Sequence, residues 1–78
     1  MRTFQEMRMN VEYMMEQMRI DAINDTFEKF KKADRYYYET SEGGSEVTKL
    51  IKELEALGAN MEYITEVDLQ IRDEVCGL

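Results

Sequence analysis

The sequence predicts an all-α protein, a helical hairpin whose copies assemble into an oligomeric helical bundle. None of the 78 residues is proline. Two long stretches carry apolar residues at alternating steps of three and four, which places them on one side of an α-helix. The stretches meet at a serine- and glycine-rich run, residues 41–45. The chain forms one domain, residues 1–78, and a hairpin with one internal seam has a marginal core, so we expect self-association.

The first arm is predicted to be kinked, because its apolar residues form two stripes in different phase. A slip of phase indicates either a local unwinding or a break between two helices. Asp25, with Glu28 three residues later, resembles a capping box. We therefore predict a helix over about 3–22 that kinks into a second over about 25–39. The stripes are Phe4, Met7, Val11, Met14, Met18 and then Ile20, Ile23, Phe27, Phe30, Tyr37.

Residues 40–45 are predicted to form the turn, with Gly43 and Gly44 at positive φ and Ser45 capping the next helix. A long second helix should then span about 46–76.

Gly58 lies inside this predicted second helix. The segment 57–60 reads either as the end of one helix and the cap of another or as part of a continuous helix. Because the three-four spacing keeps its phase from Leu54 through Ile64, we predict a continuous helix. A polar residue, Asp68, interrupts the stripe at a core-type position, where it would set the register or lie at an oligomer edge.

The formal net charge of −7 is unevenly distributed. Residues 1–38 carry seven acids and seven bases, whereas residues 39–78 carry ten acids and three bases, so 3 − 10 = −7 falls on the second part. This acidic arm opposes binding to duplex nucleic acid or to an anionic membrane and favours a basic protein partner or solubility.

The single cysteine, Cys76, and the lack of a signal-peptide pattern or a membrane-spanning apolar run predict a cytoplasmic protein.

Nothing in the sequence predicts catalysis, a cofactor or a metal site. The chain has no histidine, so Cys76 has no histidine to activate it, and the Glu-x-x-His pattern of bundle metal sites is missing. The recurrent carboxylates are better interpreted as solvated helix faces.

Six of the seven methionines lie within the first 18 residues. This concentration is typical of an adaptable recognition surface or, as we prefer, of the central seam of an oligomer.

A basic and tyrosine-rich cluster, residues 29–38, contains four of the ten bases and three of the five tyrosines. Cations neutralise phosphate and tyrosine rings stack on bases, so Lys31, Lys32, Arg35 and Tyr36 are candidate ligand-binding residues. The alternative interpretation is a last helical turn whose cations complement the helix dipole.

Three short runs in the second arm carry a resemblance to a known family. The runs are Ser45-Glu46-Val47-Thr48-Lys49-Leu50, Leu54-Glu55-Ala56 and Ala59-Asn60. In these runs the arm resembles a family of small phage proteins that sequester cyclic oligonucleotides and so blunt CBASS-type antiviral immunity. The resemblance implies a hexamer of helical hairpins with nucleotide pockets between subunits, and it adds Arg8 and Tyr13 to the candidate pocket residues.

Two functions follow as hypotheses. The first is a non-enzymatic phage-type counter-defence protein, a homo-oligomer that sequesters a cyclic nucleotide between its subunits. The alternative is an acidic inhibitor that occupies the basic surface of a host nuclease, polymerase or defence factor.

Overall fold

The protein consists of three α-helices and no strand within residues 4–77, the part that this computed structural model describes, with side chains described from residue 11 onward. Helix α1 spans Phe4–Thr40, α2 spans Gly44–Ala56 and α3 spans Met61–Cys76. The all-α prediction is confirmed. None of these helices combines the length and apolar character that a bilayer crossing requires.

Helix α1 is continuous, so the prediction of separate helices over 3–22 and 25–39 is wrong. Asp25 is an exposed residue in mid-helix and caps nothing. The slip of phase has a different cause: at about 100° per residue, the stripe around Met14 lies about 140° around the helix from the stripe around Phe30. One unbroken helix therefore presents different sides in its two halves.

The predicted continuous helix 46–76 is also wrong, because the chain leaves the helix after Ala56. Gly58 has a φ of +83°, which glycine adopts without steric cost. Its N–H donates to Glu55 O at 3.0 Å, and the Ala59 N–H donates to Leu54 O at 3.0 Å. These two bonds form a Schellman motif, which ends α2.

Asn60 begins α3 as an N-cap. Its Oδ1 accepts hydrogen bonds from the backbone N–H groups of Glu62 at 3.1 Å and Tyr63 at 3.2 Å. The interruption, residues 57–60, is close to one helical turn in length. The apolar spacing therefore keeps its phase across the break, and periodicity does not reveal it.

The first connection is shorter than the predicted turn 40–45. Gly43 has a φ of +81°, as predicted, and precedes α2. Gly44 is the first residue of α2 and does not have positive φ, and Ser45 does not cap the helix. These last two predictions were wrong because α2 begins one or two residues earlier than expected.

The three helices pack as a bundle around the second half of α1, in place of a two-armed hairpin. Helix α2 runs antiparallel to α1 and α3 reverses direction again. The rings of Phe27 and Tyr63 are 5.6 Å apart, and Arg35 Nη2 lies 2.7 Å from Glu74 Oε2, so α3 runs parallel to α1. The buried apolar core is formed by Phe30, Leu50, Leu54, Ile64, Val67 and Ile71.

Helix α1 extends well beyond this bundle. The molecule measures 60 × 21 × 15 Å, and 37 helical residues span about 55 Å. All side chains of residues 11–21 are exposed. We call the segment 11–21 the bare half of α1 and the segment 22–40 the covered half.

Candidate functional site

The predicted basic and tyrosine residues lie on different sides of α1. Lys31 and Arg35 face α3 and are engaged within the chain. Lys31 Nζ lies 2.8 Å from Glu28 Oε1 and 5.0 Å from the centre of the Phe27 ring. Arg35 donates to Glu74 Oε2 at 2.7 Å. These two cations therefore stabilise local structure and are partly neutralised.

Lys32 and Tyr36 face α2 and share a groove of about 450 Å³. Lys29 also lines this groove, as does Gly43, against which the Tyr36 ring packs. No ion pair involves Lys29 or Lys32 among the described residues. Lys29 was not among the predicted site residues, although its position three before Lys32 places it on the same face.

The other two candidates lie far from this groove. Tyr13 is 72% exposed and precedes Lys31 by 18 residues, which is about 27 Å along the helix. The side chain of Arg8 lies outside the described residues. One copy of the chain therefore does not assemble all six predicted residues into one site.

The basic residues do not form the last turn of α1, so the helix-dipole interpretation is wrong. Helix α1 continues to Thr40 and its last turn contains no base. The Thr40 hydroxyl donates to Tyr36 O at 2.8 Å and accepts from the Glu42 N–H at 3.1 Å, which satisfies part of the helix end instead.

The bare half of α1 exposes a continuous apolar stripe. Val11, Met14, Met15 and Met18 are between 54 and 69% exposed. They lie on one side of the helix, turned away from the side that meets α2 and α3 in the covered half. Contiguous exposed apolar surface of this kind marks an interaction site.

A pair of aspartates lies inside the bundle. Asp34 is 1% exposed and faces Asp68 of α3. The Tyr38 hydroxyl donates to Asp68 Oδ1 at 2.9 Å, whereas Asp34 Oδ2 has no hydrogen-bond partner among the described residues. A buried acceptor without a donor is costly, so this pair needs a proton or an external donor.

Burial and the neighbouring Asp68 carboxylate raise the pKa of Asp34 to about 7. Near neutral pH the pair therefore shares one proton, which Asp34 can donate to Asp68. Burial and the same carboxylate raise the pKa of Tyr38 to about 12, so its hydroxyl remains a donor.

The sequence contained a signal for this pair. Asp68 was recognised as a polar interruption of an apolar stripe, but it was not matched with Asp34. Asp34 lies four residues after Phe30 and four residues before Tyr38, so it occupies a core-facing position of α1. Asp34 and Asp68 thus each replace an apolar residue in one of two helix faces that pack together. This pattern predicts that the two aspartates are in contact.

The described residues contain no group of three or more acidic or cysteine side chains arranged to hold a metal. Comparison of the chain with models of known protein families, with characterised proteins and with solved structures gave no match. The resemblance to cyclic-oligonucleotide sponges thus stays a prediction.

Proposed function

We propose that this chain is a non-enzymatic, self-associating helical protein whose assembled form sequesters a small anionic ligand. The observation that carries the proposal is the apolar stripe on the bare half of α1. Four side chains that belong in a core are exposed there, on the side of α1 that α2 and α3 do not approach. A second copy of the chain is the occupant that we propose for this stripe.

Charge supports a second copy in antiparallel orientation. Residues 1–20 carry three acids and three bases, so the formal charge of −7 falls entirely on residues 21–78. Parallel pairing would place two acidic bundles side by side, whereas antiparallel pairing places them at opposite ends of the dimer. The full sequence stripe runs from Phe4 to Met18, so the two stripes overlap completely when the two-fold axis passes near Val11.

Sedimentation velocity over a range of concentrations tests the association. The wild-type chain should sediment as a species larger than a monomer, and the double variant Met14→Glu, Met18→Glu as a monomer with unchanged helix content. Leu69→Glu is the matched control, since Leu69 is an exposed apolar residue on the bundle, and it should associate like wild type. A monomeric wild-type protein at high micromolar concentration would contradict the proposal.

The groove that contains Lys29, Lys32 and Tyr36 supports an anionic ligand, and a cyclic nucleotide is the class that we propose. Two lysines that form no ion pair with the described residues, together with one half-exposed ring, offer phosphate neutralisation and base stacking; one acid, Glu46, also lines the groove. Calorimetry with cyclic di- and trinucleotides should show binding that falls at least tenfold in Lys32→Ala and in Tyr36→Ala. Lys52→Ala, on the outer side of α2, should bind like wild type, and no heat with any nucleotide would exclude this ligand class.

The acidic face of α3 favours a second candidate function, inhibition of a basic protein. Glu62, Glu66 and Asp73 are exposed, and their spacing places them on one side of the helix. Reversing these three charges should abolish low-salt capture of a basic protein while leaving nucleotide binding intact. Capture that is unaffected by the reversal would exclude this function.

A further inference from the structure

A cavity of about 460 Å³ lies between the three helices, at the end of the bundle nearest the turn. Asp34 and Asp68 line it from α1 and α3, and the described residues contribute no base to its lining. This volume is large enough for a small organic molecule and too large for a single ion.

The polar groups around this cavity offer hydrogen-bond acceptors and few donors. Thr48 already donates its hydroxyl proton to Gly44 O at 3.0 Å, and Thr65 donates to Met61 O at 2.9 Å. The Tyr38 hydroxyl donates to Asp68. Each of these oxygens therefore has only acceptor capacity left for the cavity.

Asp34 lines this cavity, and its Oδ2 has no hydrogen-bond partner among the described residues. The residue is 99% buried; Asp68 and Tyr38 are the titratable groups that interact with it, and Arg72 interacts with Tyr38. Arg72 does not line the cavity; its Nη2 lies 3.6 Å from Asp73 Oδ1, and its buried Nε has no hydrogen-bond partner among the described residues. Within the described part of the chain, no base forms an ion pair with Asp34 or Asp68.

We propose that this cavity binds a small alkylammonium ion, with its charged nitrogen between Asp34 and Asp68 and its hydrocarbon chain among the apolar lining. An ammonium group provides three N–H donors to a site that has acceptors and few donors. The partly exposed Tyr37 ring also lines the cavity, and aromatic faces attract such cations. The described residues place no third carboxylate, histidine or cysteine beside this pair to hold a metal ion.

Binding is coupled to the proton that the aspartate pair shares. An ammonium ion that takes this position displaces the proton, because the cation and the proton neutralise the same charge. Because burial and Asp68 raise the pKa of Asp34 to about 7, binding near neutral pH should release protons, and affinity should rise from pH 6 to pH 8.

Isothermal titration calorimetry with n-butylamine and with 1,4-diaminobutane tests the proposal, with n-butanol and MgCl₂ as comparison ligands. We expect binding of the amines only, and heats at pH 7 that differ between two buffers of different ionisation enthalpy. Asp34→Asn and Asp68→Asn should each weaken amine binding at least tenfold. Glu66→Gln, a nearby exposed acid of α3, should leave it unchanged.

Three results would overturn the amine site: no heat with either amine, butanol binding as tightly as butylamine, or equal binding by wild type and Asp34→Asn. If the cavity bound Mg²⁺ in preference to the amines, the amine site would be wrong and the cavity would be a metal site. Proton release on amine binding is measured on the wild-type chain and needs no variant. The absence of proton release would therefore contradict the proposal even if the aspartate variants did not fold. The site is independent of the anionic ligand in the α1–α2 groove, and nucleotide binding should be unaffected in Asp34→Asn.

Discussion

The two halves of α1 belong to one continuous helix and have opposite surroundings. In the covered half, Phe30 is fully buried between α2 and α3, whereas in the bare half Met18, twelve residues earlier, is 69% exposed. Both halves carry large apolar side chains at helical spacing. Apolar periodicity alone thus identifies a helix face that must be covered, but it does not say whether the same chain or another copy covers it.

The largest expected difference between the halves is in stability. Phe30→Ala should lower the free energy of unfolding by about 3–5 kcal/mol, because it removes a ring from a closed core and leaves a cavity. Met18→Ala should change it by less than about 0.5 kcal/mol at concentrations where the chain is monomeric. Urea unfolding followed by circular dichroism measures both, and Phe30→Leu serves if Phe30→Ala does not fold. Similar losses of unfolding free energy in Phe30→Ala and Met18→Ala would contradict the proposed difference between the covered and bare halves.

The covered half should also carry a pH dependence that the bare half lacks. The pKa of Asp34 is about 7 in the folded protein, against about 4 for an ordinary aspartate. The folded state thus holds more protons than the unfolded state between these values. Stability should fall as pH rises from about 4 to 7 and level off above, by up to about 4 kcal/mol.

Asp34→Asn removes this dependence. The variant should gain stability over wild type progressively between pH 5 and pH 8, because a neutral amide replaces a buried carboxylate beside Asp68. Asp73→Asn, an exposed acid of α3, should leave the pH slope unchanged. A constant difference between Asp34→Asn and wild type across this range would show that Asp34 titrates normally.

The break between α2 and α3 determines which half of α1 is covered, and Gly58 tests it. Gly58→Ala should cost about 1 kcal/mol, because φ is +83° there and the added Cβ would lie 3.1 Å from Arg19 Nη1. In a continuous helix the same change would instead stabilise by about 1 kcal/mol. The sign of the change in thermal midpoint decides between these structures.

The smallest expected effect concerns the ion pair between α1 and α3. The Arg35 and Glu74 side chains are about half exposed, so their coupling in a double-mutant cycle should lie between about 0 and 1 kcal/mol and decrease with salt. A coupling above about 2 kcal/mol would mean that this edge of the bundle excludes water.

Much of the fold was predictable because helix formation depends on residue types and spacings that are close together in the sequence. The three-four spacing and the missing prolines identified helices, and Gly43 marked the turn. The break at 57–60 was missed since its length nearly equals one turn, although Gly58 and Asn60 carry the residue types that it requires. The phase slip near Met18 was misread as a kink because a sequence does not state which neighbour covers each face.

The candidate site was only partly predictable, because consecutive residues of a helix point in different directions. Lys31 and Lys32 are adjacent in sequence, yet one faces α3 and the other faces the α1–α2 groove. The Glu74 partner of Arg35 was likewise invisible without the fold, whereas Glu28 lies three residues before Lys31 and that pair follows from helical spacing. Asp34 was missed because its importance depends on Asp68, which lies 34 residues later.

The most direct test of the account is a distance between two copies of the bare half. A spin label at Gln17→Cys, in a Cys76→Ser background, reports that distance by double electron–electron resonance. With antiparallel helices about 10 Å apart and an axis near Val11, the labels should lie about 20 Å apart, and Met14→Glu with Met18→Glu should abolish the signal. No distance below about 60 Å in the wild-type stripe would contradict the proposed pairing.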